Sequence, residues 1–104
     1  MRKLSSETKE RIDIDPFYNQ CCICRSINIQ IHHNLIYAGR QVDDAECLLP
    51  LCENCHSKAR NVDFKEKLDL IMYKRMTLDQ FAIYSRSNLL QRYDYLKKKY
   101  HGKI

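Results

Sequence analysis

Apolar and polar positions change their period along the chain. Ile27-Asn28-Ile29-Gln30-Ile31-His32 alternates, the period of two expected of a strand with one buried face. From about Glu53 the pattern turns helical: Phe64, Leu68, Ile71 and Met72 recur at spacings of three and four and make one apolar stripe. A second stripe follows, with Leu78, Phe81, Ala82, Leu89, Leu90, Tyr93 and Leu96 on the inner face of one helix. Thr77 is its expected N-cap, and Gly102 its expected end, after the run Lys97-Lys98-Lys99 that suits a helix C-terminus. Ser5 to Ile12 predicts a short first helix, stopped by Asp13-Ile14-Asp15-Pro16 because the residue before a proline is pushed out of the helical region. Ala38-Gly39-Arg40 reads as a turn and Leu48-Leu49 as the start of a second extended piece. The expected class is therefore α+β, an irregular β-region followed by two longer C-terminal α-helices.

A chain of 104 residues makes one domain, and domains this small often need a staple such as a metal or disulfides. No apolar run approaches the roughly 18 residues of a membrane span. The polar, charged N-terminus lacks the apolar stretch of a secretory signal, so a cytoplasmic location with reduced thiols is expected. Six cysteines then read as metal ligands before disulfides. Cys21 and Cys24 form one Cys-x-x-Cys pair, Cys52 and Cys55 a second, with 27 residues between the pairs. Two residues between cysteines let both thiolates of a tight turn reach one ion, and two such turns complete the tetrahedral sulfur shell of a structural Zn2+. Cys22 and Cys47 are left over and read as small buried apolar residues. Cys52-Glu53-Asn54-Cys55-His56 also matches the attachment motif of c-type haem, but haem requires export and leaves the first pair unexplained.

Three of the four histidines lie beside these cysteines. His32 and His33 follow the expected strand, and His56 directly follows the second pair. A structural zinc would bring the strand and the helix start together, and with them all three rings.

Taken together, Cys21-x-x-Cys24, Ile31-His32-His33 and Leu49-Pro50-Leu51-Cys52-x-x-Cys55-His56-x-Lys58 resemble the HNH endonuclease family, particularly its small phage-type members. The resemblance covers roughly residues 16–60, and residues 61–104 would form a helical basic extension of the same domain. It implies a ββα-metal (His-Me finger) core stapled by the four-cysteine zinc site, and an enzyme that hydrolyses DNA phosphodiester bonds. By the same resemblance His32 and His56 would hold a catalytic divalent metal, Mg2+, Mn2+, Ni2+ or Zn2+, and His33 would be the general base. The residue types suit that chemistry: an ordinary histidine titrates near pH 6.5, and a site with two protein ligands keeps positions open for water and phosphate oxygens. One departure stands out. The family's central Asn, which helps orient the base, would sit just before Leu48, where this chain has Cys47. Asn34 and Asn54 lie nearby but off that place and read as a turn residue and a helix-start residue. Arg60 stands where some relatives add a metal ligand, and it could contact a phosphate instead.

Charge adds a direction. Residues 1–56 carry six Lys/Arg against eight Asp/Glu, residues 57–104 twelve against five, so the surplus of the +5 chain lies wholly in the C-terminal part. That favours a phosphate backbone as partner, expected to be double-stranded DNA, with Arg40, Lys58 and Arg60 as candidate contacts. Tyr73, Tyr84, Tyr93, Tyr95 and Tyr100, interleaved with basic residues, could stack on bases or fill a small core. Two other readings are a non-catalytic zinc-knuckle module binding nucleic acid or protein on an HNH scaffold, which Cys47 favours, and a domain that docks a protein partner through the C-terminal helices.

Overall fold

The computed structural model describes residues 5–84 and 88–101. It opens with α1 (Ser6–Ile14), whose N-cap Ser5 accepts from the Thr8 N–H, and which ends at the extended Asp15 before Pro16. The Asp15 carboxylate then accepts from the Phe17 N–H and caps a 3-10 turn over Pro16–Asn19. Arg75 donates to Asp15 at 3.1 Å and lies 3.8 Å above the Phe17 ring, fixing this turn to the helical region.

Strand β1 is Gln30–His33, shorter and later than the alternation predicts. A two-residue hairpin follows, β2 (Ile36–Tyr37) and β3 (Arg40–Gln41), turning at Ala38 and Gly39 with φ of 52° and 78°. Positive φ at both central residues matches the twist of paired strands, which is why a glycine belongs there. After a 3-10 turn at Ala45–Cys47, β4 (Leu48–Leu51) returns antiparallel to β1, pairing Gln30 with Leu51 and His33 with Leu48. Pairing stops at Gln30 because Cys52, next after its partner, leaves the strand to start the second knuckle. Ile27, left unpaired, is 80% exposed.

All four residues of β4 are buried, since one side meets β1 and the helices and the other the first knuckle and the 3-10 turn. The Tyr18 hydroxyl lies within hydrogen-bond distance of the carbonyls of Ala45 and Leu48 there and donates its one proton to either. Helix α2 (Glu53–Ser57) is short and packs on both β1 and β4. Asn61 then caps α3 (Val62–Arg75), accepting from the Asp63 and Phe64 N–H groups. The stripe is as predicted at Leu68 and Met72, with Leu70 and Tyr73 also buried and Phe64 and Ile71 at its margin.

The single last helix predicted from the sequence is two. Thr77 and Gln80 form a capping box at the start of α4 (Leu78–Ile83), and α5 (Leu89–Lys99) begins after Asn88, which sits in the left-handed region. Phe81, Leu89 and Leu96 face inward, whereas Leu78, Ala82 and Leu90 are exposed. One continuous helical wheel assumes a single helix over these positions and so misassigns these three. The expected stop at Gly102 lies outside the described residues.

Helices α3 and α5 are joined by a buried polar knot. Asp69 is 5% exposed and accepts from Asn34 at 2.9 Å, Lys65 at 2.7 Å and Arg92 at 2.9 Å. Removing Asp69 leaves the buried Asn34 amide without this acceptor, at a cost of about 1–3 kcal/mol, while Lys65 and Arg92, 41% and 38% exposed, can turn to solvent. Asp69→Ala is therefore expected to lower the midpoint of chemical denaturation well beyond the effect of an exposed control such as Asp79→Ala.

Candidate metal centre and histidine cleft

The knuckles form from local hydrogen bonds. The Cys21 N–H donates to the Ser26 carbonyl at 2.8 Å and the Arg25 N–H to the Cys21 carbonyl at 3.0 Å, closing a turn in which Arg25 takes a φ of 65°. The Cys22 N–H donates to the Pro50 carbonyl at 2.9 Å and so ties this turn to β4. In the second knuckle Cys52 is the N-cap of α2, and its sulfur accepts from the Cys55 N–H.

The four sulfurs of Cys21, Cys24, Cys52 and Cys55 lie within 4.8 Å of one another, with Cys24 and Cys52 3.4 Å apart. A tetrahedron of sulfurs around zinc has edges of about 3.8 Å, given Zn–S bonds of about 2.3 Å. The cluster could therefore hold a structural metal ion such as zinc. Its protonation is uneven. Burial opposes ionisation of Cys21, but N–H groups of Cys24, Cys52 and Ile23 outweigh it and bring the thiol down to about 6. The Cys55 N–H, then the Cys24 thiol, lower Cys52 as well, while burial pushes Cys55 up. Four thiolates this close repel one another unless a cation sits among them.

The two spare cysteines have another character. Burial raises both Cys22 and Cys47 to about 12, and Cys47 has no exposed surface at all. Both are thiols, not thiolates, and sit outside the cluster.

The three histidines meet in one open cleft of about 590 Å³, walled by Ile36, Arg60 and Lys65 besides His32, His33 and His56. A groove of about 920 Å³ near the knuckle holds no histidine and a single carboxylate, Glu53, so it offers less chemistry. The rings of His32 and His56, from β1 and α2, lie edge to face with centroids 5.0 Å apart. Burial first, then the like charges of His56 and Lys65, hold His32 down to about 4. Its ring is thus neutral at physiological pH, the form that can bind a metal. His56 Nδ1 lies 2.7 Å from Gln30 Oε1. An amide oxygen only accepts, so Nδ1 carries the proton and Nε2 keeps its lone pair, the arrangement typical of metal-binding histidines.

His33 is the last residue of β1, and its Nε2 lies 3.0 Å from Asp43 Oδ1. Neither Asp43 nor Gln30 is a candidate from sequence spacing. Asn34 and Asn54 do not take the place of an orienting Asn. Asn34 is buried and bonds to Asp69, and the histidine its side chain reaches is His32, not His33, while Asn54 is exposed on α2.

The tail's charge is partly paired, although Lys67, Lys74, Lys97, Lys98 and Lys99 stay exposed. Arg92 pairs with Asp69, Lys99 with Glu66 and Lys97 with Asp94. Tyr73 and Tyr93 pack with Phe81 in the core, Tyr84 donates to Asp44 and Tyr100 to Glu66. Of the five tyrosines only Tyr95 is a largely exposed ring. Arg40, Lys58 and Arg60 are exposed, Arg60 at the cleft.

These features define a small α+β protein with helices around two short antiparallel sheets and a four-cysteine cluster suited to a metal. No family model, curated protein or solved structure matches the chain. Among the described residues, no helix is long and apolar enough to cross a membrane.

Proposed function

We propose that this chain is a metal-dependent endonuclease that hydrolyses DNA phosphodiester bonds, on a ββα-metal core of β1, β4 and α2. The observation that carries the reading is the convergence of His32, His33 and His56, from two different elements, in one cleft beside Arg60 and Lys65. Strand, strand and helix in that order support it, as does the resemblance of Cys21 to Lys58 to the HNH family.

In this reading His32 and His56 hold a divalent cation, which when bound supplies positive charge to the phosphate under attack and to the leaving oxygen. The residues do the rest. His33 takes a proton from a water molecule, whose oxygen bonds to phosphorus. The bond from phosphorus to the departing sugar oxygen breaks, and that oxygen takes a proton from solvent. Arg60, Lys58 and Arg40 hold flanking phosphates.

The test is nicking of supercoiled plasmid by the zinc-loaded protein with Mg2+, Mn2+, Ni2+ or Zn2+ in turn. Nicked circles that depend on added metal support the reading. Intact plasmid, together with intact branched and single-stranded DNA, overturns it. That outcome would favour a non-catalytic zinc module that binds nucleic acid, for which Cys47 at the expected place of Asn speaks.

Binding should follow exposed cations such as Lys58 and Arg60 more than those paired with carboxylates. Lys58→Ala and Arg60→Ala together are expected to weaken DNA affinity and to flatten its salt dependence by about one log unit per log unit of salt for each phosphate no longer neutralised. Lys99→Ala, which breaks an internal pair with Glu66, should leave that slope unchanged. Fluorescence anisotropy across a salt series reads both.

A further inference from the structure

We propose that Asp43 is the positioning residue of the His33 base, taking over the work of the Asn that this chain lacks before Leu48. Its catalytic consequence rests on the nuclease reading; its structural content does not. The Asp43 carboxylate meets His33 Nε2 at 3.0 Å, and the two side chains are only 23% and 11% exposed. A carboxylate accepts, so Nε2 must donate and carries the ring proton. Nδ1 is then the ring nitrogen with a lone pair, the one able to take a proton. The contact fixes the orientation and tautomer of the ring, as in other His–carboxylate pairs.

Both partners are held from outside. His33 is fixed by its pairing with Leu48, and the next residue's N–H donates to the Cys47 carbonyl at 3.1 Å. The Asp43 carbonyl accepts from Thr8 Oγ1 of α1 at 3.2 Å. Its neighbour Asp44 accepts from Tyr84 at 2.8 Å and from Gln80 at 3.3 Å, both of the α4 region. Glu46 is bound by Arg11 of α1 and by Gln80 at 2.7 Å. The loop between β3 and β4 is thus clamped by α1 on one side and α4 on the other. A surface ion pair is worth little, because its side chains are free to leave it. This pair is held by the Asp43 carbonyl's bond to Thr8, by the pairing of His33 with Leu48, and by the bonds of the neighbouring Asp44 and Glu46. Cys47, buried at the place of the Asn, packs the loop while Asp43 orients the base. The helical extension is then part of the site's scaffold.

The experiment is long-range 1H–15N correlation of the histidine rings in full-length, zinc-loaded protein at pH 7.5, with His33→Gln assigning the His33 signals. The expected wild-type pattern is a protonated Nε2 and a bare Nδ1. Asp43→Ala should mix the two tautomers while zinc content and the zinc-loaded melting temperature are retained. Single-turnover nicking by Asp43→Ala should slow about 10–100-fold with unchanged DNA affinity, and Asp43→Glu should recover part of the rate. A wild-type His33 protonated on Nδ1 would overturn the proposal, as would an Asp43→Ala protein with the wild-type tautomer and rate. The expected tautomer in a wild type that never nicks DNA would sink the nuclease reading and leave the positioning of His33 by Asp43 in place.

Discussion

Stripping the four-thiol cluster of its metal at neutral pH is expected to unfold the domain. Structural zinc sites contribute roughly 10–16 kcal/mol of apparent binding free energy, against a total stability of about 5–15 kcal/mol for a typical domain. In this chain the cluster lies at the heart of the packing. Cys22 is bonded to Pro50, Cys52 caps α2, and β4 between them is wholly buried. Without a cation no metal bridge joins the knuckles across the 27 residues between them, and thiolates 4.8 Å apart or less repel one another until they take up protons. The measurement is thermal unfolding by circular dichroism before and after incubation with a strong chelator, alongside metal analysis. One bound zinc per chain is expected, and the cooperative transition should vanish on chelation and return with added Zn2+. Cys52→Ser should behave like the chelated wild type, whereas Cys22→Ser, which removes no member of the cluster, should keep its zinc. Protein that melts at the same temperature with and without metal would sink the structural role. Acid should act as chelator does, since thiolates that take up protons release the ion.

Much of this organisation is legible in the sequence because it rests on local spacing. The Cys-x-x-Cys pairs bring their own turns, and Ser5, Thr77 and the Asp15-Pro16 step mark helix ends through bonds made within three residues. What is not legible depends on partners far along the chain. The strand predicted from Ile27 begins at Gln30 because its partner runs out at Leu51, and nothing in residues 27–29 records that. Leu78, Ala82 and Leu90 fall on the wrong face once α4 and α5 are separate helices. Part of the tail's charge is paired in a way the sequence does not record: Arg92 and Lys99 meet Asp69 and Glu66, one helix away. Asp43 and Gln30 lie 10 and 26 residues from the rings they bond, at spacings with no periodic meaning. A loop carrying two consecutive aspartates close to a histidine pair is the only signal for Asp43 in the sequence, and spacing alone does not choose between them.

His33→Ala and His56→Ala are expected to impair DNA cleavage by different routes, and the difference discriminates between base and ligand. Loss of a general base typically slows a reaction about 10²–10⁴-fold without touching ground-state binding. His33→Ala should therefore bind DNA and the second divalent metal as the wild type does and lose turnover alone. Raising the concentration of metal should restore nothing. His56 holds its Nδ1 against Gln30 and leaves Nε2 for a ligand's role, so His56→Ala should lose metal affinity first, and a higher metal concentration should recover part of the rate. Both substitutions leave the four cysteines untouched, and His56 is only partly buried, so the zinc content and fold of the two variants can be matched before rates are compared. Nicking rates against metal concentration make the separation: a lowered plateau identifies the base, a shifted midpoint the ligand. Equal plateaus and midpoints for both variants and the wild type would remove the histidine cleft from the chemistry altogether.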